Sequence, residues 1–262
     1  MEQWQDQSII LAVRRHGENG AIISLITQDY GRQSGYLRGA FSVKNRGTLE
    51  VGNIVDANWR ARNADDLGSL TLELSRSTAA RIMQDPLKLA ALQSACSICD
   101  AALPEKDGHA GIYHGLSALL DILEGEVWAQ GYIMWEIALL KELGFALDLS
   151  KCAGGGDSAT LTYISPKTGR AVSLKSGEPY KDKLLPLPEF LKPNGGQSGL
   201  EDMVIGLQMT RFFLEHWVFV HHNRGLPEAR QRLGLRFVEH FAKTDINTRN
   251  IDKLGSEIHA AR

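Results

Sequence analysis

Cysteine is scarce in this 262-residue chain: Cys96, Cys99 and Cys152 are the only three. An odd, sparse set cannot build a disulfide framework, so a reducing compartment is expected. Long apolar runs are also missing. None approaches the roughly 18 residues that a membrane-spanning helix needs, and no membrane partner is expected. The opening Met1-Glu2-Gln3-Trp4-Gln5-Asp6 is polar and acidic, unlike a signal peptide, which points to a cytoplasmic protein. Charge of one sign is lacking too, with a formal net charge of −2. No repeat of fixed period is present. With 43% hydrophobic residues against 23% charged, the chain can nevertheless bury a core, which excludes global disorder.

Catalytic signatures are absent as well. No G-x-x-x-x-G-K-[ST] phosphate loop occurs. Gly154-Gly155-Gly156 does not sit between a strand and a helix, and it reads as a turn. There is no G-x-S-x-G elbow, and the eight histidines show no H-E-x-x-H spacing. Cys96-x-x-Cys99 falls inside a helical pattern without a second pair, so buried core thiols are the expectation rather than a redox or zinc site. Asp65-Asp66 and Glu201-Asp202 read as a loop tip and a helix start. His221-His222 ends an apolar helix, as surface or capping residues do.

What is present divides the chain in two. Short strands are expected over residues 8–13, 21–27, 33–38, 49–59 and 69–74, the last alternating cleanly at period two. Five such strands suit a small barrel of the OB type, and an SH3-like barrel would read much the same. From about residue 77 the pattern becomes helical: 77–83, 85–102, 109–124, 127–143, 199–222 and 227–241. Asp85-Pro86 supplies a cap and a first-turn proline. A stretch rich in Gly, Pro, Ser and Lys near 150–197 interrupts the helices. The expected class is α+β: an OB barrel over 1–78 and a helical domain over 79–262 carrying that insert.

Charge is segregated along this plan. Over residues 32–62, the cations Arg32, Arg38, Lys44, Arg46, Arg60 and Arg62 face only Glu50 and Asp56. Residues 63–223 instead hold twenty acids against thirteen Lys and Arg. Aromatics interleave with the basic segment: Tyr30, Tyr36, Phe41 and Trp59. Cations that track phosphates beside rings that stack on bases are how OB grooves hold single strands. Arg14, Arg15, Arg32, Arg38, Lys44, Arg46, Arg60 and Arg62 are the candidate DNA contacts, with Arg38 and the Lys44/Arg46 loop foremost. Tyr36 and Phe41 are the candidate stacking rings, although Phe41 and Trp59 could equally fill the barrel.

The opening resembles the RecO family of DNA repair proteins. The residues that carry the likeness are Trp4-x-Asp6, Ile9-Ile10-Leu11, Arg14 to Gly20, Leu25-Ile26-Thr27, Tyr30-Gly31 and Leu37-Arg38-Gly39-Ala40. Glu136-x-x-Leu139-Leu140-x-x-Leu143-Gly144-Phe145 and Tyr163-Ile164-Ser165-Pro166-Lys167-x-Gly169 continue it in order. The resemblance implies a nucleoid-associated, cytoplasmic recombination mediator of the RecF pathway, without a cofactor and not an enzyme. Such a mediator binds single- and double-stranded DNA and anneals complementary strands. It partners RecR and the C-terminal tail of the single-stranded DNA-binding protein, and helps load RecA. A metal-dependent enzyme acting on nucleic acid and a protein-interaction scaffold without DNA binding are the alternatives.

One departure from the family carries a prediction. Many members hold zinc in the insert with two C-x-x-C pairs. Here only Cys152 remains, with Gly155 at the place of its pair and Ser173 and Ser176 near the others, a degenerate zinc-finger-like pattern. One thiolate does not close a tetrahedral zinc site. The purified protein is therefore expected to contain no stoichiometric zinc, and chelation should leave its melting temperature unchanged. One zinc per chain by elemental analysis contradicts this.

Overall fold

The computed structural model describes residues 1–63, 65–195, 199–220, 222 and 225–260, without the side chains of 44 and 245–260. Five strands open the chain: β1 (Glu2–His16), β2 (Gly20–Thr27), β3 (Arg32–Arg38), β4 (Ile54–Ala61) and β5 (Ser69–Arg76). A one-turn helix, α1 (Val43–Arg46), lies between β3 and β4. The strands close into a barrel in the order β1-β2-β3-β5-β4, with β1 also paired to β4. This is the OB arrangement, so the SH3-like alternative falls away.

Strand β1 is far longer than the expected 8–13. Its first half pairs with β4 from Glu2 to Ile9, and its second half pairs with β2 from Ser8 to His16. A bulge between Ile10 and Ala12 bends it from one partner to the other. Residues 2–7 escape sequence reading because only Trp4 among them is apolar and turned inward. The barrel core comprises Trp4, Ile10, Ile23, Leu25, Leu37, Val55, Trp59 and Leu70, among others. Residues 49–53, expected within the fourth strand, form the turn before β4 instead. Gly52 has a φ of +86°, and an added Cβ there would lie 2.4 Å from Leu92, which only glycine tolerates.

The helices follow: α2 (Thr78–Ile82), α3 (Pro86–Ala102), α4 (Ala110–Ile122) and α5 (Trp128–Glu142). The Asp85 side chain accepts from the Leu87 and Lys88 amides at 2.9 and 3.1 Å. Such a cap contributes about 1 kcal/mol. Cys96 and Cys99 are buried on α3, and burial pushes the Cys96 thiol up to about 12. Strands β1 to β5 and helices α1 to α5, with residues 213–230, make one compact unit; residues 148–212 and 231–262 make a second.

In the second unit, β6 (Leu161–Ile164), β7 (Ala171–Ser173) and β8 (Leu185–Pro186) form a small sheet in the order β7-β6-β8, with the one-turn helix α6 (Leu174–Gly177) after β7. The Ser165-Pro166-Lys167-x-Gly169 motif is the β6–β7 turn. The Gly169 amide donates to the Ser165 carbonyl at 2.8 Å, and Gly169 has a φ of +65°. The single helix expected over 199–222 is instead α7 (Leu200–Phe213) followed by a π turn over Leu214–Val218. The last helix, α8 (Glu228–Ala260), runs beyond the expected residue 241. Among the described residues no helix is long and apolar enough to cross a membrane.

At the centre of the first unit's helices lies a fully buried ion pair. Glu136 of α5 and Arg230 of α8 are both inaccessible, and Arg230 Nη2 donates to Glu136 Oε2 at 3.0 Å. The Tyr132 hydroxyl donates to Glu136 Oε1 at 2.9 Å and lies 2.7 Å from the Ser94 hydroxyl of α3. Burial opposes the guanidinium charge, but Glu136 outweighs it and the Arg230 pKa rises further. Tyr132 is pushed well above its usual range by burial and then by Glu136, so it stays a protonated donor.

Removing one member of this pair leaves an uncompensated buried charge. Glu136→Ala and Arg230→Ala are each expected to destabilise the fold by about 3–5 kcal/mol in urea unfolding. The double variant Glu136→Leu/Arg230→Met should recover most of that loss. Equal losses in single and double variants would contradict the coupling.

Candidate nucleic-acid interface

The ladder register sets which candidate side chains meet. On the outer face of the barrel, Arg14 of β1 is opposite Ile22 of β2, which is opposite Tyr36 of β3. Tyr36 pairs across the β3–β5 seam with Ser69, and Ser69 pairs with Arg60 of β4. Adjacent strands lie about 4.8 Å apart, which brings the Arg60 backbone within about 10 Å of Tyr36. The next row holds His16, Gly20 and Arg38. The β4–β5 loop, which carries Arg62, ends at the β3–β5 seam, where the Tyr36 amide donates to the Gly68 carbonyl at 2.9 Å.

Tyr36 lies over Gly20. A Cβ added to Gly20 would come within 2.1–2.4 Å of the Tyr36 ring and hydroxyl, so the ring occupies the space of the missing side chain. His16 meets the same ring edge-on at 6.0 Å. Arg15, in register with Ala21 and Leu37 rather than with Tyr36, sits with its guanidinium 4.8 Å over the Phe41 ring and donates to the Glu18 carbonyl. Phe41 is exposed, whereas Trp59 is buried in the core with its indole N–H on the Ser34 and Leu67 carbonyls. The backbone of the β3–β4 connection is tied down by the Ala40 amide on the Asn19 carbonyl and the Asn45 side chain on the Gly39 carbonyl.

The eight cations separate by partner. Arg32 is only 15% exposed at its side chain; it donates to the Leu103 carbonyl at 2.8 Å and pairs with Glu105 at 3.2 Å. Arg14 pairs with Asp100 of α3. Glu105 also accepts from the Ser34 hydroxyl at 2.6 Å. The α3–α4 loop thus covers the lower half of β3 and leaves Tyr36 and Arg38 uncovered. Arg38, Arg46, Arg60 and Arg62 are exposed, and no ion pair among the described residues involves them. Arg60 shares its outer face with Asp56 and Glu73, which dilutes its field. The Lys44 side chain lies outside the described residues. His16, Gly20 and the covering Glu105 were not singled out from the sequence; the Arg14-Arg15-His16 run was the only signal for the first.

In the second unit Cys152, Ser173 and Ser176 converge, but Gly155 does not join them: a Cβ there would meet nothing within 4 Å, whereas one on Gly156 would lie 2.3 Å from the Ser173 hydroxyl oxygen. The Ser173 amide donates to Cys152 Sγ at 3.2 Å, the Ser173 hydroxyl lies 3.3 Å from that sulfur, and Ser173 and Ser176 hydroxyls are 3.1 Å apart. Burial opposes ionisation, but hydrogen bonds from Ser173 and from the Gly156 and Gly154 amides outweigh it and bring the thiol down to about 6. A thiol and two hydroxyls do not fit a zinc ligand set. Among the described residues no three His, Cys, Asp or Glu side chains gather as a metal would require.

Comparison with known proteins gives consistent matches. The family model for the recombination protein O N terminus matches residues 1–78, and that for its C terminus matches residues 83–222. The chain is 47% identical over 243 residues to the DNA repair protein RecO of Rhodospirillum centenum, covering 92% of this chain and 95% of that one. It is 44% identical over 238 residues to the DNA repair protein RecO of Caulobacter vibrioides, covering 90% and 98%. For the protein of that name from Jannaschia sp. the identity is 46% over 231 residues, covering 88% and 94%.

If the Tyr36 ring stacks on an unpaired base, Tyr36→Ala should weaken oligothymidylate binding by about 1–3 kcal/mol while Tyr36→Phe keeps it. Gly20→Ala, which evicts the ring without removing it, should reproduce the Tyr36→Ala loss. Fluorescence anisotropy checks both, and a neutral Gly20→Ala speaks against stacking at this position.

Proposed function

The chain belongs to the RecO family, and from that premise we propose that it is a DNA-binding recombination mediator rather than an enzyme. The observation that carries this reading is the uncovered upper half of the β2–β3 face. There a ring seated over glycine shares the outer face with Arg38 and His16, and the Arg15–Phe41 pair lies at the same end of the barrel on the alternate register. OB barrels bind oligonucleotides on the face of strands 2 and 3 and with the β1–β2 and β4–β5 loops. Phosphate contacts from Arg15, Arg38, Lys44, Arg46 and Arg62 give sequence-independent affinity for single and double strands. Neutralising two strands on one surface lowers their mutual repulsion, which is the physical basis for annealing.

The family reading supplies the partners. RecR, and the acidic C-terminal tail of the single-stranded DNA-binding protein, would bring the mediator to coated single strands and so assist RecA loading. The helical domain, residues 79–262, is the proposed receptor for that tail. Annealing is then independent of ATP. The rival reading, a metal-dependent enzyme, requires cleavage of the same substrates with magnesium or manganese.

Salt dependence tests the interface. Each phosphate contact contributes about −0.7 on single strands and about −0.9 on duplex to the slope of log affinity against log salt. Arg38→Ala/Lys44→Ala/Arg46→Ala should flatten that slope by roughly two to three contacts without loss of folding. The control Lys167→Ala/Lys175→Ala/Lys183→Ala removes the same formal charge from the insert. Equal weakening by the control would assign the effect to net charge and remove the barrel face from the reading.

A further inference from the structure

A second aromatic site on the first unit has the opposite electrostatic character. Tyr30 stacks on Trp4, with centroids 5.3 Å apart and planes at 18°, and Trp4 stacks on Trp59 at 5.9 Å and 8°. All three residues line a cavity of about 320 Å³ beside the start of β1, the β2–β3 turn and the α3–α4 loop, with both faces of Trp4 taken up by its neighbours in the stack. Tyr30 ends the stack and is 44% exposed.

Acceptors outnumber cationic donors among the polar residues around these rings, with Gln3 able to serve either way. The exposed carboxylates of Glu2 and Asp29 line the cavity. Gln33 donates its amide to the Tyr30 carbonyl at 2.7 Å, which leaves its side-chain oxygen to accept. Lys106 is the only cationic side chain of the lining, and it pairs with Asp65 at 3.6 Å. The Trp59 N–H is already committed to two carbonyls. Ring faces are themselves electronegative. A phosphate or carboxylate would be repelled here, whereas a planar cation would find both a stacking surface and hydrogen-bond acceptors.

The site is also rigid before anything binds. The buried Thr27 hydroxyl donates to the Gly31 carbonyl and accepts from the Tyr30 amide, each at 2.9 Å. The Asp29 amide donates to the Asp6 carboxylate at 2.8 Å. A Cβ on Gly31 would lie 1.8 Å from the Asp107 carbonyl, so the α3–α4 loop packs directly on the turn that carries Tyr30. Little ordering cost then remains for the ligand to meet.

We propose that this cavity is a receptor for an arginine side chain presented by a basic segment of a partner protein. The guanidinium is flat, weakly hydrated and rich in donors, which suits ring faces bordered by carboxylates better than a compact ammonium does. The cavity has room for one such side chain rather than for a folded element. The site is separate from the Tyr36 face and does not depend on the DNA reading.

Nitrogen-detected indole resonances of the full chain provide the test, with five tryptophans to assign and Trp4→Phe identifying one of them. The probe is a capped Gly-Arg-Gly peptide, with the citrulline peptide as its neutral counterpart of the same shape. The arginine peptide should shift the Trp4 and Trp59 signals saturably, and citrulline should bind about tenfold more weakly or less. Glu2→Gln/Asp29→Asn, which alters only exposed carboxylates, should cost about tenfold in affinity at unchanged melting temperature. Tyr30→Leu, which keeps an apolar cover on Trp4, should also weaken binding. Equal binding of citrulline, or no shift at millimolar arginine peptide, overturns the proposal. Displacement of the peptide by oligothymidylate, with shifts at the same indoles, overturns it in favour of a base-stacking platform. The variant with Arg38, Lys44 and Arg46 replaced should bind the peptide as before.

Discussion

The buried Glu136–Arg230 pair is the constraint on which the first unit rests. A charge with no access to water is tolerable only where its counterion is in place. That pairing fixes α5 against the start of α8 and, through Tyr132 and Ser94, fixes α3 as well. Helix α3 in turn ends in the residues that grip the barrel. Asp100 pairs with Arg14, the Leu103 carbonyl takes Arg32, and Glu105 takes Arg32 and Ser34. The helices therefore decide which part of the β3 face is open to solvent.

The barrel was legible in the sequence as five short apolar runs separated by turns that carry glycine, with clean period-two alternation in the last of them. Its long first strand was not, since Trp4 stands alone among polar residues and reads as a surface segment. The basic segment was legible as a count of charges. Which cations are engaged inside the protein was not: Asp100 is 86 residues from Arg14, and Glu105 is 73 from Arg32. Local pattern carries no information about such pairings. Glu136 stood out only as part of a helical motif, because its partner lies 94 residues further on. The insert looked irregular because its strands have only two to four residues, too short to show a period.

Two aromatic surfaces on the same unit differ in what surrounds them. Tyr36 and Phe41 are accompanied by arginines, and Tyr30 and Trp4 by carboxylates. Ring faces accept either a base or a cation, and the neighbouring charge selects between them. The same residue type can thus serve opposite ligands a few strands apart, without any change of fold.

The barrel closes where β3 meets β5, and that closure is slight: one registered pair, Tyr36 with Ser69, plus the Tyr36 amide on the Gly68 carbonyl. The residue whose ring faces outward is therefore also the clasp of the cylinder. Fewer hydrogen bonds hold this seam than any other strand boundary of the barrel, so it is the natural place for the wall to breathe. A strand of nucleic acid lying across it would act as an external suture, tightening the wall by bridging its two sides. Breathing at the seam and grip on the ligand would then be opposite readings of a single mechanical coordinate.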